Sequence, residues 1–138
     1  MRRQDKYPNN DYFVFYNANP KNKTGGDCVV RAICTALEQT WEDTVREMTE
    51  LGIKYGYVLN DKKCYEKYLE LKGWVKHAEP RDACNCKITV KTAIKNLKLN
   101  NAVAKVGSHH VVAILNGKVN DIWDSSKQTM HTYWKKGE

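Results

Sequence analysis

The chain has 138 residues, with 23 Lys and Arg against 16 Asp and Glu and a formal net charge of +7. That length fits one domain over 1–138, able to bury a core without metal or disulfide staples. No apolar run approaches the ~20 residues of a membrane helix. Arg2-Arg3 runs into polar Gln4-Asp5-Lys6, so no secretory signal is expected.

Residues 1–10 are polar and expected to be loose. Asp11 to Tyr16, D-Y-F-V-F-Y, has the β-branched and aromatic character of a strand. Asn17 to Gly26 is a loop rich in Asn, Pro, Lys and Gly. A helix begins at Cys28, with Asp27 as its N-cap. Val29, Val30, Ala32, Ile33, Ala36 and Leu37 make it apolar enough to be central. Thr40 caps a second helix, Trp41 to about Lys54. Asn60 or Asp61 opens a third through Tyr65, Tyr68, Leu69 and Leu71, ended by Gly73. Thr89 to Leu99 forms a fourth, with Val90, Ala93, Ile94 and Leu97 inside. Ala102 to Val106 is then a strand. His110–Leu115 and Lys118–Trp123 form a hairpin around Asn116-Gly117, and Met130 to Trp134 adds a last strand. Helices followed by an antiparallel sheet give an α+β fold.

The five cysteines, Cys28, Cys34, Cys64, Cys84 and Cys86, cannot all pair, and without an export signal they are expected to be reduced in the cytoplasm. Cys34 lies on the apolar helix face and belongs to the core. Cys84-Asn85-Cys86 with Cys64 and His77 lacks the paired spacing of a structural zinc site, so no metal is expected. Lys91, Lys95 and Lys98 form a helical stripe read as a solvated face. The four tryptophans are read as core or hairpin residues. The basic excess favours acidic partners, but no nucleic-acid motif is present, so such binding is expected to be weak and non-specific.

Three features carry chemistry. Cys28 opens the apolar helix, where the dipole favours thiolate. The negative charge of Asp27 beside it works the other way. His109-His110 opens a strand, and Asp121 and Asp124 lie on the next. A two-residue hairpin loop pairs Leu115 with Lys118 and Ala113 with Asn120. By that register His110 shares a face with Asp121 diagonally, and His109 faces Asp124 on the other side. The sequence therefore offers one histidine–carboxylate pair per face.

The segments G-G-D-C-V-V-R-A and H-V-V-A-I-L-N-G-K-V-N-D-I-W together resemble the papain-like cysteine peptidase superfamily, in a small form similar to bacterial and phage-encoded members. The resemblance spans about residues 19–134. It implies a papain-like fold, with a central N-terminal helix packed on an antiparallel sheet. It also implies a cysteine-dependent hydrolase that cleaves a peptide or isopeptide amide without a cofactor. Cys28 would be the nucleophile, His110 the base and Asp121 its orienting acid, while Asn22, six residues before the nucleophile, would be the oxyanion donor. Val29 replaces the aromatic residue that often follows the nucleophile. The competing expectation is a catalytically inactive papain-like binding module or inhibitor acting on an acidic partner, nucleic acid or protein.

Overall fold

The computed structural model describes residues 2–137. Its elements are α1 (Arg3–Lys6), β1 (Phe13–Phe15), α2 (Cys28–Leu37), α3 (Trp41–Tyr55), α4 (Lys62–Leu71), β2 (Trp74–His77), α5 (Val90–Leu97), β3 (Asn101–Val106), β4 (His110–Leu115), β5 (Lys118–Asp121) and β6 (Met130–Lys136). The strands form one sheet in the order β1-β5-β4-β3-β6-β2. The fold is α+β, as expected, but the sheet is mixed rather than antiparallel. β1 pairs with β5 in parallel, Phe13 opposite Val119 and Phe15 opposite Asp121. The long path through α2, α3, α4 and α5 between these strands makes that pairing possible.

Strand alternation divides the core into two layers. Val103, Val111 and Ala113 point to the face packed by α2 and by Met48, Tyr65, Tyr68 and Leu69 of α3 and α4. Ala102, Ala104, Val112, Ile114 and Val119 point to the opposite face, against Val90, Ala93 and Ile94 of α5. The sheet is thus covered on both sides, with α2 lying across β4, β3 and β5.

Several local expectations hold. Thr40 Oγ1 accepts from the Asp43 N–H at 3.0 Å, and Asp61 Oδ1 from the Lys63 N–H at 2.8 Å. Thr89, expected as the first helical residue, instead caps α5 through the Thr92 N–H at 3.2 Å. The hairpin register is Leu115–Lys118, Ile114–Val119 and Ala113–Asn120. Asn116 and Gly117 both take positive φ, as this tight turn requires.

Other features differ. Asp27 occupies the N-cap position of α2 but makes no side-chain cap, because its carboxylate is engaged elsewhere. β2 carries no marked strand pattern; it forms because β6 offers an antiparallel edge, pairing Trp74 with Lys136 and His77 with Tyr133. Leu97, expected inside, ends its helix exposed, as does Leu71. Residues 2–10 are largely exposed, yet Asn9 Oδ1 accepts the Phe15 N–H at 2.8 Å and so ties down the β1 edge. Among the described residues, no helix is long and apolar enough to cross a membrane.

Candidate active site

Three elements deliver the central groups. α2 places Cys28 at its first residue, β4 opens with His110, and β5 closes with Asp121. The β4–β5 ladder stops at Ala113–Asn120, while His110 stays opposite Val106 of β3 and Asp121 opposite Phe15 of β1. Strict alternation would put His110 with Val112 and Ile114, on the α5 side. Instead the imidazole acts on the Cys28 thiol on the α2 side, each shifting the other's ionisation. His110 Nε2 lies 2.5 Å from Asp121 Oδ2, which leaves Nδ1 as the nitrogen at the sulfur. The imidazole thus stands between the carboxylate it bonds and the thiol whose ionisation it lowers.

Burial pushes the Cys28 thiol up, but the His110 hydrogen bond, the Val111 N–H donated to the sulfur and the positive charges of His110 and Arg31 outweigh it, and the net shift is downward. Burial lowers the His110 imidazole, yet its bonds to Asp121 and Cys28 and their negative charges raise it to about 9. A thiol moved down beside an imidazole moved up is the condition for a thiolate–imidazolium pair near neutral pH. The Trp123 ring covers His110, centroids 5.0 Å apart and tilted by 39°, although β5 ends before Trp123 and the two are not a ladder pair.

Asp121 is 4% exposed. Its Oδ1 accepts the Ile122 N–H at 2.7 Å, which fixes the carboxylate with Oδ2 toward the imidazole. Behind it lies a buried group of residues that the sequence reading passed over. Arg31 Nη1 bonds Asp27 Oδ1 at 2.5 Å, and Arg31 Nη2 lies 3.7 Å from Asp121 Oδ1. Asp27 Oδ2 accepts from Asn19 Nδ2 at 2.9 Å and from Trp41 Nε1 at 3.0 Å. The signal was present: an acid and an arginine at i, i+4 in an otherwise apolar helix must find partners, since such groups are seldom buried unpaired. Tyr65, on α4, is also near; burial raises its phenol, and the negative charges of Glu66 and Cys28 add to the rise.

The remaining candidates separate. His109 is exposed, and Asp124 accepts instead from Asn10 Nδ2 and the Ser126 N–H, each at 2.9 Å. The alternative His109–Asp124 pair is therefore not formed. Asn22 sits in the exposed loop before α2, at a positive φ of 56°, with its N–H bonded to the Asn19 carbonyl at 3.0 Å. Cys34 is buried against the Arg31 carbonyl, Cys64 is buried, and Cys84 and Cys86 are exposed. Among the described residues no three His, Cys, Asp or Glu side chains gather as metal ligands. Lys91, Lys95 and Lys98 lie on an exposed face.

Comparisons with protein-family models, with curated proteins and with solved structures return no match to this chain.

Proposed function

We propose that the protein is a papain-like cysteine hydrolase that cleaves a peptide or isopeptide bond through an acyl-enzyme. The observation that carries this reading is the convergence of Cys28, His110 and Asp121 from three separate elements, with His110 Nε2 2.5 Å from Asp121 Oδ2 and the thiol lowered by His110. In the reaction, the Cys28 thiolate adds to the carbonyl carbon of the amide. The oxyanion forms beside the free N–H groups at the start of α2. The Cys28 N–H is one donor, and the Asn22 side chain, from the exposed loop, is the second. Asn19, the buried amide nearby in sequence, is already committed to Asp27. The His110 imidazolium then protonates the leaving amine as the C–N bond breaks, giving a thioester. Water attacks the thioester, His110 takes its proton, and the acid product leaves with the thiol restored. Asp121 holds the imidazole in the tautomer this sequence needs. The substrate is a peptide or protein, and no cofactor enters these steps.

The test is capture of the covalent intermediate. Wild-type protein is treated with a panel of peptidyl electrophiles bearing different side chains beside the warhead, and adducts are located by mass spectrometry. The reading requires adducts on Cys28 that depend on the peptide portion and vanish in His110→Ala. Adducts that ignore the peptide portion and persist without His110 favour the inactive binding module, whose basic surface would serve an acidic partner.

A further inference from the structure

Asp27 and Arg31 both depart from the role their position suggests. Asp27 stands at an N-cap yet caps nothing, and Arg31 lies within the apolar stretch Val29–Ile33 of a buried helix. Both are more than nine-tenths buried, at 8% and 6% exposure. A buried ion pair contributes little net stability compared with well-packed apolar residues, so stability alone is a weak reason for placing it here. Its location is more informative. Asp27 adjoins Cys28 in the chain, and the Arg31 guanidinium spans from Asp27 to Asp121, the acid behind His110. Arg31 Nε is buried without a hydrogen-bond partner among the described residues, so the guanidinium is held by charge rather than by full hydrogen bonding.

We propose that Arg31 is a positioning residue of the Cys28–His110–Asp121 site, a buried cation that cancels the charge of Asp27 and so lets the thiolate form beside an acid. The inference rests on the reading of Cys28 as a nucleophile. His110, the Val111 N–H and the charge of Arg31 act on the thiol to lower it; Asp27 precedes it in the chain, Asp121 stands behind His110 on β5, and Tyr65 lies on α4. With Cys28 and His110 ionised, the site holds three anions, Asp27, Cys28 and Asp121, against two cations, Arg31 and His110. Without Arg31 the three anions face one cation, and the thiolate becomes harder to form. Without the charge on Asp27 the balance moves the other way.

The experiment measures the rate of Cys28 alkylation by iodoacetamide against pH, with the modified residue located by mass spectrometry and the fold checked by circular dichroism. The expected midpoint rises by about one pH unit in Arg31→Met, a tenfold loss of thiolate below the midpoint. It returns at least halfway in Asp27→Asn/Arg31→Met, and it falls below wild type in Asp27→Asn. The rescue separates charge balance from a purely structural role. If Arg31→Met does not fold, the Asp27→Asn single variant and the double variant still decide the matter. A folded Arg31→Met with the wild-type midpoint, a double variant as shifted as the single, or an Asp27→Asn midpoint that does not fall would each overturn the proposal. A wild-type midpoint like that of an ordinary thiol would instead overturn the reading of Cys28 beneath it.

Discussion

Cys28 and Cys34 are carried by the same ten-residue helix, yet they have opposite chemistry. Cys34 is 2% exposed, and burial pushes its thiol up to about 11, with the weak Thr35 hydrogen bonds failing to offset it. Cys28 is also desolvated but is moved down, because an imidazole and a backbone N–H face its sulfur. Both thiols feel the positive charge of Arg31, so helix membership and that charge do not separate the two. What separates them is β4, whose first residue brings His110, and whose second brings the Val111 N–H, to the helix start alone. Burial by itself makes a cysteine inert; burial with a paired donor makes it reactive.

The largest effect expected is from Cys28→Ala, which should abolish turnover, a loss of at least ~10³-fold, while Cys34→Ala leaves activity within about twofold. Steady-state assay with whichever peptide the electrophile panel selects checks both. Comparable losses in the two variants would erase the distinction between the helix ends. Next is His110→Ala, expected to cost about 10²–10⁴-fold in turnover and to raise the pH at which Cys28 alkylates, whereas His109→Ala leaves that profile in place. A shift with His109→Ala alone would mean the strand is read one residue out of register. Asp121→Asn should cost less than loss of the imidazole, because the acid orients the ring and fixes its tautomer without taking the proton; kcat measured across pH is the readout.

A smaller effect concerns stability. The folded His110 titrates near 9, against ~6.5 for an unperturbed histidine. Protonation of a group whose folded pKa is raised stabilises the fold fully below ~6.5, and that contribution is lost as pH rises through about 9. Denaturant unfolding of wild type and His110→Gln should therefore show the widest gap in stability at or below pH 6 and a narrowing gap toward pH 9. A gap that widens with pH contradicts the assignment of the imidazolium.

Much of this site was legible in the sequence. The helix starting at Cys28 follows from its apolar run, and the hairpin register follows from Asn116-Gly117, so His110 and Asp121 are placed within reach by counting alone. Which histidine meets the thiol was not fixed by counting. Alternation assigns the α2 face to the parity of Val111 and Ala113, whereas His110, the first residue of β4 and still opposite Val106, acts on the Cys28 thiol from the other parity. The parallel β1–β5 pairing was also hidden, since it joins segments far apart in the chain and a strand's own pattern does not say which neighbour it will find. β2 was missed for the same reason: its partner, β6, decides it. Arg31 was passed over because its two carboxylate partners are Asp27, which reads as a cap, and Asp121, which only the fold brings near.

The account stands most directly on the difference between the two thiols of α2. Competitive alkylation of the native protein from pH 5 to pH 10, with Cys28 and Cys34 quantified separately by mass spectrometry, measures it in one sample. Cys28 should label with a midpoint below the ~8.5 of a free thiol, and Cys34 should stay protected until the protein unfolds. Cys28 labelling only above that pH, or no faster than the exposed Cys84 and Cys86 at pH 6, would contradict the account.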